Sequence, residues 1–352
     1  MDEDITPGSF LFNIGFMLTY KCTIACPHCI VEAGPHRKKV MRMDRALSWI
    51  EQAAKYNNGY IKACALTGGE VFHDIDTLRT LSDYAHSLGF VVSAVTNGFW
   101  ATSKRTAINL LKTLPSIHLL CVSTDAYHQR FIPLANIRNS IEALKDLGLT
   151  YSIAVCKDAE DTQQFRDLMC HLKDFADEDK IVTSKTFPVG RARHHLSQEG
   201  FPMVAEPSRA ACTMASSPVV FPDGQVVGCI GPAITIQSPH KLLLGDLKTE
   251  SLEEILQRAE TNAILHTIRV WGPYRILEWL NRIGCSEKMP SSYMKDCTCD
   301  VCYKLLSDER LQPYIELLAN NEEFAERTKY GRLYHLGEEE VLQPLESQHF
   351  LT

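Results

Sequence analysis

Residues 22–29 read Cys-Thr-Ile-Ala-Cys-Pro-His-Cys and place three thiols within eight positions, directly after the largely apolar run 11–20. A structural zinc site takes four ligands, so His28 or His36 would have to complete it. A [4Fe–4S] cluster takes one cysteine per iron, so three cysteines leave one iron open to an outside ligand, and chemistry can occur there. We favour the cluster, with ligands Cys22, Cys26 and Cys29.

Beyond this stretch, apolar runs typical of strands alternate with segments of helical periodicity. Six strands that alternate with helices imply parallel βαβ units, so we predict an α/β fold with a partial (β/α)6 TIM-like barrel. The predicted strands are 11–20, 61–66, 90–95, 117–122, 151–155 and 181–187. Polar motifs follow these strands, where a barrel carries its functional residues. They are Gly68-Gly69-Glu70, Asn97, Ser123, Asp125 and Gly190.

The composition is that of a globular protein, because 45% of the 352 residues are hydrophobic, 22% are charged and the net charge is −7. Wholesale disorder is excluded, and a sequence-independent nucleic-acid binder would normally be basic. The sequence has no run of 18 apolar residues and an acidic start, so we expect a cytoplasmic protein with no membrane or nucleic-acid partner. Thiols stay reduced in that compartment, which leaves the 13 cysteines for roles other than disulfides.

The cysteine triplet and the Gly-Gly-Glu motif together resemble the radical S-adenosylmethionine (radical SAM) enzymes, whose C-x3-C-x2-C signature lies in the loop after the first strand. The resemblance implies two cofactors at this site, a [4Fe–4S] cluster and S-adenosylmethionine (AdoMet). It also implies that one-electron reduction cleaves AdoMet to a 5′-deoxyadenosyl radical, which abstracts a hydrogen atom from a substrate.

The same resemblance assigns AdoMet contacts to the motifs at the strand ends. Gly68-Gly69-Glu70 would bind the methionine amino group, and Asn97 and Ser123 would contact the ribose and the carboxylate. Gly190 would hold the adenine through its backbone. His28 occupies a position that is typically aromatic in the family, and Asp125 either faces the substrate or caps the next turn.

The region that follows the barrel resembles the auxiliary-cluster module of these enzymes. Residues 219–229 read as a hairpin with an Asp-Gly turn, and Gly224 to Cys229 matches the module's G-x4-C spacing. The number of cysteines fits the short, one-cluster (twitch-type) form, which implies a second [4Fe–4S] cluster, with a four-cysteine zinc site as the alternative. The expected ligands are Cys212, Cys229, Cys299 and Cys302, and Cys285 and Cys297 are alternative ligands or hydrogen-atom donors.

We therefore predict three parts: the barrel in residues 1–206, an auxiliary iron–sulfur module with a β-hairpin in 207–304, and a helical tail in 305–352. Stretches such as Thr96-Asn97-Gly98-Phe99-Trp100 and Gly231-Pro232-Ala233-Ile234 resemble radical SAM peptide epimerases of the epipeptide type. In those enzymes the residue after the hairpin's cluster cysteine is a cysteine that returns a hydrogen atom. Here that residue is Ile230, so either Cys285 or Cys297 substitutes or the substrate radical is handled differently, for example by oxidation through the second cluster.

The expected substrate is a ribosomally made peptide that undergoes epimerisation, oxidation or cross-linking. The alternative is a carbohydrate-like or other small metabolite, since the short one-cluster module also occurs in relatives that act on such molecules. In either case we expect an oxidoreductase or epimerase type of enzyme. It would receive electrons from a donor such as flavodoxin or ferredoxin.

Overall fold

The computed structural model describes residues 10–157, 161–196 and 201–339. Its first part alternates strands and helices as predicted. The elements are β1 (Asn13–Thr19), α1 (Met43–Lys55), β2 (Ala63–Gly68), α2 (Ile75–Ser87), β3 (Val91–Thr96), α3 (Lys104–Leu111), β4 (Leu119–Ser123), α4 (Leu134–Asp146), β5 (Thr150–Lys157), α5 (Gln163–Lys173) and β6 (Ile181–Lys185). Each of these strands pairs in parallel with the next, which confirms the predicted parallel βαβ architecture.

The parallel sheet curls into a partial barrel. Four adjacent strands of a flat sheet would separate the ends of β1 and β4 by about 14 Å. Yet His28, in the loop after β1, lies 3.3 Å from Asp125, in the loop after β4 (Nε2 to Oδ2). The residues that follow the strands therefore converge on one region, as the sequence analysis expects of a barrel.

The strands alternate between a face buried under the helices and a face towards the barrel interior. In β5, Ile153 and Val155 are fully buried in the hydrophobic core, whereas Ser152, Ala154 and Cys156 on the opposite face are only partly buried. The interior face carries small side chains on neighbouring strands as well: Ala65, Ser93, Cys121 and Ser123. An interior lined by small residues leaves room for a ligand.

A short helix α6 (Ala192–His195) and strand β7 (Met203–Val204) lead from the barrel to the predicted hairpin, which consists of β8 (Val219–Val220) and β9 (Gln225–Val227). Its Asp-Gly turn requires a positive φ, and Gly224 has φ 96°. The hairpin is not a separate sheet, because β8 pairs in parallel with β1 through Gly15 and Val219. With β10 (Leu243–Asp246) it extends the sheet to nine strands.

The C-terminal half is helical and packs onto the barrel. It comprises α7 (Leu252–Glu260), α8 (Ala263–Trp271), α9 (Tyr274–Arg282), the short strand β11 (Tyr293–Met294), α10 (Thr298–Ser307), α11 (Gln312–Ala319) and α12 (Glu322–Leu336). Ile315 and Phe324 of the predicted tail share one hydrophobic core with Ile14 and Leu66 of the barrel strands. The part of the 305–352 stretch up to residue 339 therefore packs as part of the main body, and residues 340–352 lie outside the described residues. The three predicted boundaries stay predictions.

A buried ion pair fixes the C-terminal end of this body. Arg269 on α8 and Glu338, just after α12, are 1% and 2% exposed and form a salt bridge. Glu338 also accepts hydrogen bonds from Arg332 Nε (2.6 Å) and from the backbone N–H of Phe10 (2.9 Å). Both charges are thus paired and hydrogen-bonded, which buried charges require. The network joins the two ends of the described chain.

None of the helices among the described residues is both long enough and apolar enough to cross a membrane.

Candidate active site

The three cysteines of the N-terminal triplet line one cavity of about 150 Å³. The other walls of this cavity come from the C-terminal ends of β2, β3 and β4. They include Gly68, Gly69, Thr96, Asn97 and Ser123, together with His28 and His128. The structure therefore brings together most of the residues that the sequence analysis assigned to AdoMet and the first cluster.

The surroundings of these thiols suit an anionic sulfur ligand. Hydrogen-bond donors face the sulfurs: the N–H of Ala33 is 3.3 Å from Cys29 Sγ, and Asn97 Nδ2 is 3.6 Å from Cys22 Sγ. Burial raises the pKa of the Cys22 thiol to about 12, so without a metal this site would hold a neutral thiol. Donors directed at sulfur are among the features that tune iron–sulfur clusters, and the residues present fit a [4Fe–4S] cluster with three protein ligands. For the zinc alternative, His36 is exposed and His28 Nε2 lies against Asp125, which leaves His28 Nδ1 as the candidate fourth ligand.

The Gly-Gly-Glu motif joins the ends of neighbouring strands. A Cβ atom on Gly69 would lie 2.2 Å from the carbonyl oxygen of Lys21, so only glycine allows the strand end to approach the cysteine loop this closely. Glu70 is 1% exposed, and its carboxylate accepts hydrogen bonds from Thr96 Oγ1 (2.8 Å) and from the backbone N–H groups of Asn97 (2.7 Å) and Phe72 (3.0 Å). Burial nevertheless raises its pKa to about 7. Its predicted contact with the AdoMet amino group stays a prediction.

Asp125 orients two imidazoles that line the cavity. His28 Nε2 is 3.3 Å and His128 Nδ1 is 2.9 Å from Asp125 Oδ2. Burial opposes ionisation of Asp125, but His128 and His28 hold the pKa of this carboxyl well below its ordinary value. Burial also lowers the pKa of His128, yet Asp125 and Cys26 outweigh it and raise the value to about 10. His128 was not among the predicted site residues, although its spacing in Ser123-x-Asp125-x-x-His128 was a usable signal.

The loop after β6 clamps the cysteine loop. Arg191 Nη1 and Nη2 donate to the carbonyl oxygens of Cys26 (2.7 Å) and Ala33 (2.6 Å), and its backbone N–H donates to Cys29 (3.1 Å). Gly190 has φ 56°, and a Cβ there would lie 2.4 Å from the carbonyl oxygen of Ile30. Gly190 is thus a close-approach position, and its predicted adenine contact stays a prediction. No signal in the sequence indicates this role of Arg191, since its partners are main-chain carbonyls.

The second group of cysteines also converges on one cavity. Cys212, Cys229, Cys299 and Cys302 line it together with apolar side chains, among them Leu242 and Ile268. Burial raises the pKa of Cys229 to about 12, with the charge of Cys212 adding to the effect. Burial and three thiol neighbours also raise the pKa of Cys302. The N–H of Gly231 is 3.1 Å from Cys229 Sγ. Four mutually close thiols fit a fully ligated [4Fe–4S] cluster or a zinc ion.

The remaining predicted thiols lie elsewhere. Cys297 packs with Phe187, Val189 and Met294 in a small hydrophobic cluster, and Cys285 lies in the main core near Lys288. Neither is among the described residues that line the first cavity. Ile230 packs against the apolar cluster of Met17 and the hairpin strands. Their predicted roles as hydrogen-atom donors stay predictions.

Comparisons with known proteins agree with this geometry. Residues 16–169 match the radical SAM superfamily. The chain is 25% identical over 320 residues to the putative peptide biosynthesis protein YydG of Bacillus subtilis (strain 168), which covers 88% of this chain and 97% of that protein. It is 23% identical over 167 residues to the antilisterial bacteriocin subtilosin biosynthesis protein AlbA of the same strain, which covers 45% of this chain and 36% of AlbA.

The solved structures similar to this chain include anSMEcpe with bound AdoMet and a Cp18Cys peptide. The match has a TM-score of 0.53 at 13% identity and covers 96% of this chain and 99% of that chain. A structure of anSMEcpe with bound AdoMet alone gives a TM-score of 0.52 at 14% identity, over 88% of this chain and 99% of that chain. At this identity the likeness establishes the fold. Residues 16–169 therefore form a radical SAM domain.

Proposed function

We propose that this enzyme modifies a ribosomally made peptide by abstracting a hydrogen atom from it, with epimerisation, oxidation or cross-linking as the outcome. The observation that carries the proposal is the likeness to the putative peptide biosynthesis protein YydG over 97% of that protein's length. The partial similarity to AlbA, a bacteriocin biosynthesis protein, points in the same direction.

The cavity residues of this chain have distinct tasks in the proposed reaction. Cys22, Cys26 and Cys29 would hold the first cluster, and the glycines after β2 would let backbone approach AdoMet closely. When bound, the cluster and AdoMet supply a 5′-deoxyadenosyl radical. Asn97 and Ser123 line the same cavity and would orient AdoMet, and the enclosing protein would exclude competing hydrogen donors.

The substrate would enter the barrel interior, whose partly exposed, small side chains leave space beside the first cavity. The second cysteine cavity would hold a second [4Fe–4S] cluster, which either accepts an electron from the substrate radical or stabilises the substrate pocket. A one-electron donor of the flavodoxin or ferredoxin class would supply the reducing electron.

The first test is iron content after anaerobic reconstitution, together with AdoMet cleavage by the reduced protein. We expect about eight irons per chain, falling to about four in the Cys22/Cys26/Cys29→Ala variant, with loss of 5′-deoxyadenosine formation. Cys170→Ala, which removes an exposed thiol on α5, is the control and should change neither quantity. Cleavage that persists in the triple variant would contradict the site assignment.

The substrate class is tested by mass spectrometry of a short peptide encoded beside the gene, incubated with the reduced enzyme and AdoMet. A change in the peptide's mass, or in its stereochemistry after hydrolysis, supports the proposal. Turnover of a carbohydrate-like metabolite with no change in any such peptide would replace it with the small-molecule alternative.

A further inference from the structure

A thiol outside both groups of predicted ligands faces the chamber in which the substrate would react. Cys156 lies at the C-terminal end of β5 and belongs to the partly exposed interior face with Ser152 and Ala154. Its sulfur is 3.4 Å from Ser184 Oγ, the residue that pairs with it on β6.

The strand register fixes the level of Cys156 in the barrel. Ser123, which lines the first cavity, pairs with Ala154. Cys156 is the next interior-facing residue beyond Ala154, towards the end of the barrel where the cysteine triplet lies. It is thus level with the segment just after β4, which contains Asp125.

The electrostatic environment of Cys156 agrees with this level in the barrel. Burial raises the pKa of its thiol to about 11, and charges on Asp125, Cys26 and Cys29 add to the effect. A neutral thiol near the triplet keeps the S–H bond that hydrogen-atom transfer needs.

The first cavity, which Ser123 lines at the level of Ala154, is built for a ligand. His28 is about nine-tenths buried and lines this cavity, and its Nδ1 atom has no hydrogen-bond partner among the described residues. A buried polar atom of this kind normally has a partner, so a bound molecule is expected to supply it.

We propose that Cys156 donates a hydrogen atom to the carbon radical formed in this chamber, a role that rests on the proposed radical chemistry. The S–H bond breaks, a C–H bond forms at the radical carbon, and Cys156 becomes a thiyl radical. One electron and one proton then restore the thiol. The electron comes from the same class of one-electron reductant that the enzyme needs for AdoMet cleavage, and the proton comes from water. This arrangement supplies the hydrogen that Ile230 cannot.

The test uses no substrate. The reconstituted full chain is incubated in deuterium oxide with AdoMet and dithionite, and the isotopic composition of the 5′-deoxyadenosine is measured by mass spectrometry. With no substrate present, the 5′-deoxyadenosyl radical takes the exchanged deuterium from Cys156: the S–D bond breaks, a C–D bond forms at the 5′ carbon and a thiyl radical remains on Cys156. A large fraction of the 5′-deoxyadenosine will then carry one deuterium. In Cys156→Ser the labelled fraction should fall at least about tenfold, because a positioned donor is lost, while iron content stays unchanged.

Two matched controls are available. Cys121→Ser removes a thiol on the same interior face but deeper in the barrel, where it pairs with Ser152, and Cys170→Ser removes an exposed one. Neither should lower the labelled fraction. Three results would each overturn the assignment: 5′-deoxyadenosine without deuterium from the wild type, an unchanged labelled fraction in Cys156→Ser, or a fall in the labelled fraction caused by Cys297→Ser instead. Absence of any 5′-deoxyadenosine would overturn the radical SAM function itself, so the two failures are distinguishable.

A second measurement needs no turnover. The reconstituted chain is treated with a maleimide with and without AdoMet, and labelling of each cysteine is followed by peptide mass spectrometry. AdoMet should slow labelling of Cys156 severalfold and leave the exposed Cys170 unaffected. Equal labelling of Cys156 in both conditions would place it outside the reaction chamber and overturn the proposal.

Discussion

The clamp formed by Arg191 should determine how firmly the first cluster is held. Its guanidinium donates to two carbonyl oxygens of the cysteine loop, at 2.7 Å on Cys26 and 2.6 Å on Ala33. Hydrogen bonds from a charged donor contribute about 1.5–3 kcal/mol each, and since Arg191 is only partly buried we use the lower value for both. Arg191→Met should therefore destabilise the closed loop by about 3 kcal/mol, which corresponds to on the order of a hundredfold more frequent opening.

The assay is the rate at which an iron chelator removes iron from the reconstituted protein, with AdoMet-sensitive EPR identifying the first cluster. Arg191→Lys, which keeps the charge but loses the planar fork, should give an intermediate rate of about tenfold above the wild type. Arg193→Met is the control, because within the described part of the chain the Arg193 side chain donates to the Tyr303 hydroxyl (3.2 Å) and to no carbonyl of the cysteine loop. If Arg191→Met releases this iron no faster than Arg193→Met, the clamp does not hold the loop.

Three further results are expected. Burial raises the Glu70 pKa from 4.5 to about 7, so this group's contribution lowers wild-type stability as pH rises between those values. Between those pH values the free energy of unfolding of the apo protein should fall by roughly 2–3 kcal/mol because of Glu70. Glu70→Gln should remove this fall, so the melting temperature should depend less steeply on pH. An unchanged slope would exclude Glu70 as the cause. Glu338→Gln should lower the free energy of unfolding, measured by chemical denaturation, by about 3–5 kcal/mol, because it leaves the buried charge of Arg269 with a weaker partner. The control Glu339→Gln, at an exposed position, should change the free energy of unfolding very little. Equal losses in the two variants would refute this. Gly69→Ala should prevent reconstitution of the first cluster, since its Cβ would overlap the carbonyl oxygen of Lys21. Gly34→Ala is the control and should still bind the cluster, because the nearest atom to its Cβ would be 3.5 Å away. Normal iron content in both variants would show that the cysteine loop can shift to accommodate the added methyl group.

The sequence was most informative where its signals are local. Apolar periodicity located six strands to within a few residues, because alternation along a strand directly reflects which face is buried. Cysteine spacing grouped Cys22, Cys26 and Cys29, because metal ligands recur at short, restricted intervals, whereas the second set of thiols was grouped through the resemblance to an auxiliary-cluster module. Even Gly224 could be anticipated, since an Asp-Gly turn requires its positive φ.

Features that depend on distant partners could not be predicted in this way. The partners of Arg191 are main-chain carbonyls 165 and 158 positions away, and every sequence has carbonyls there. Strand β8 has only two residues, too few for a periodic signal, and its pairing with Gly15 follows from tertiary packing. The break between α8 and α9 lies at Gly272, which has φ 84° and packs against the carbonyl oxygen of the distant Ala210.

The pairing of β8 with β1 has a consequence for how the protein is made. Gly15 and Val219 are partners in the sheet, yet about two hundred positions separate them, so the ribosome exposes one edge of β1 long before its neighbour is synthesised. An unpaired strand edge is a template for wrong pairing. During synthesis this edge must remain unpaired or shielded by chaperones until the hairpin emerges. A chain truncated before residue 219 would retain the radical SAM motif with an open edge beside it, and we expect such fragments to aggregate.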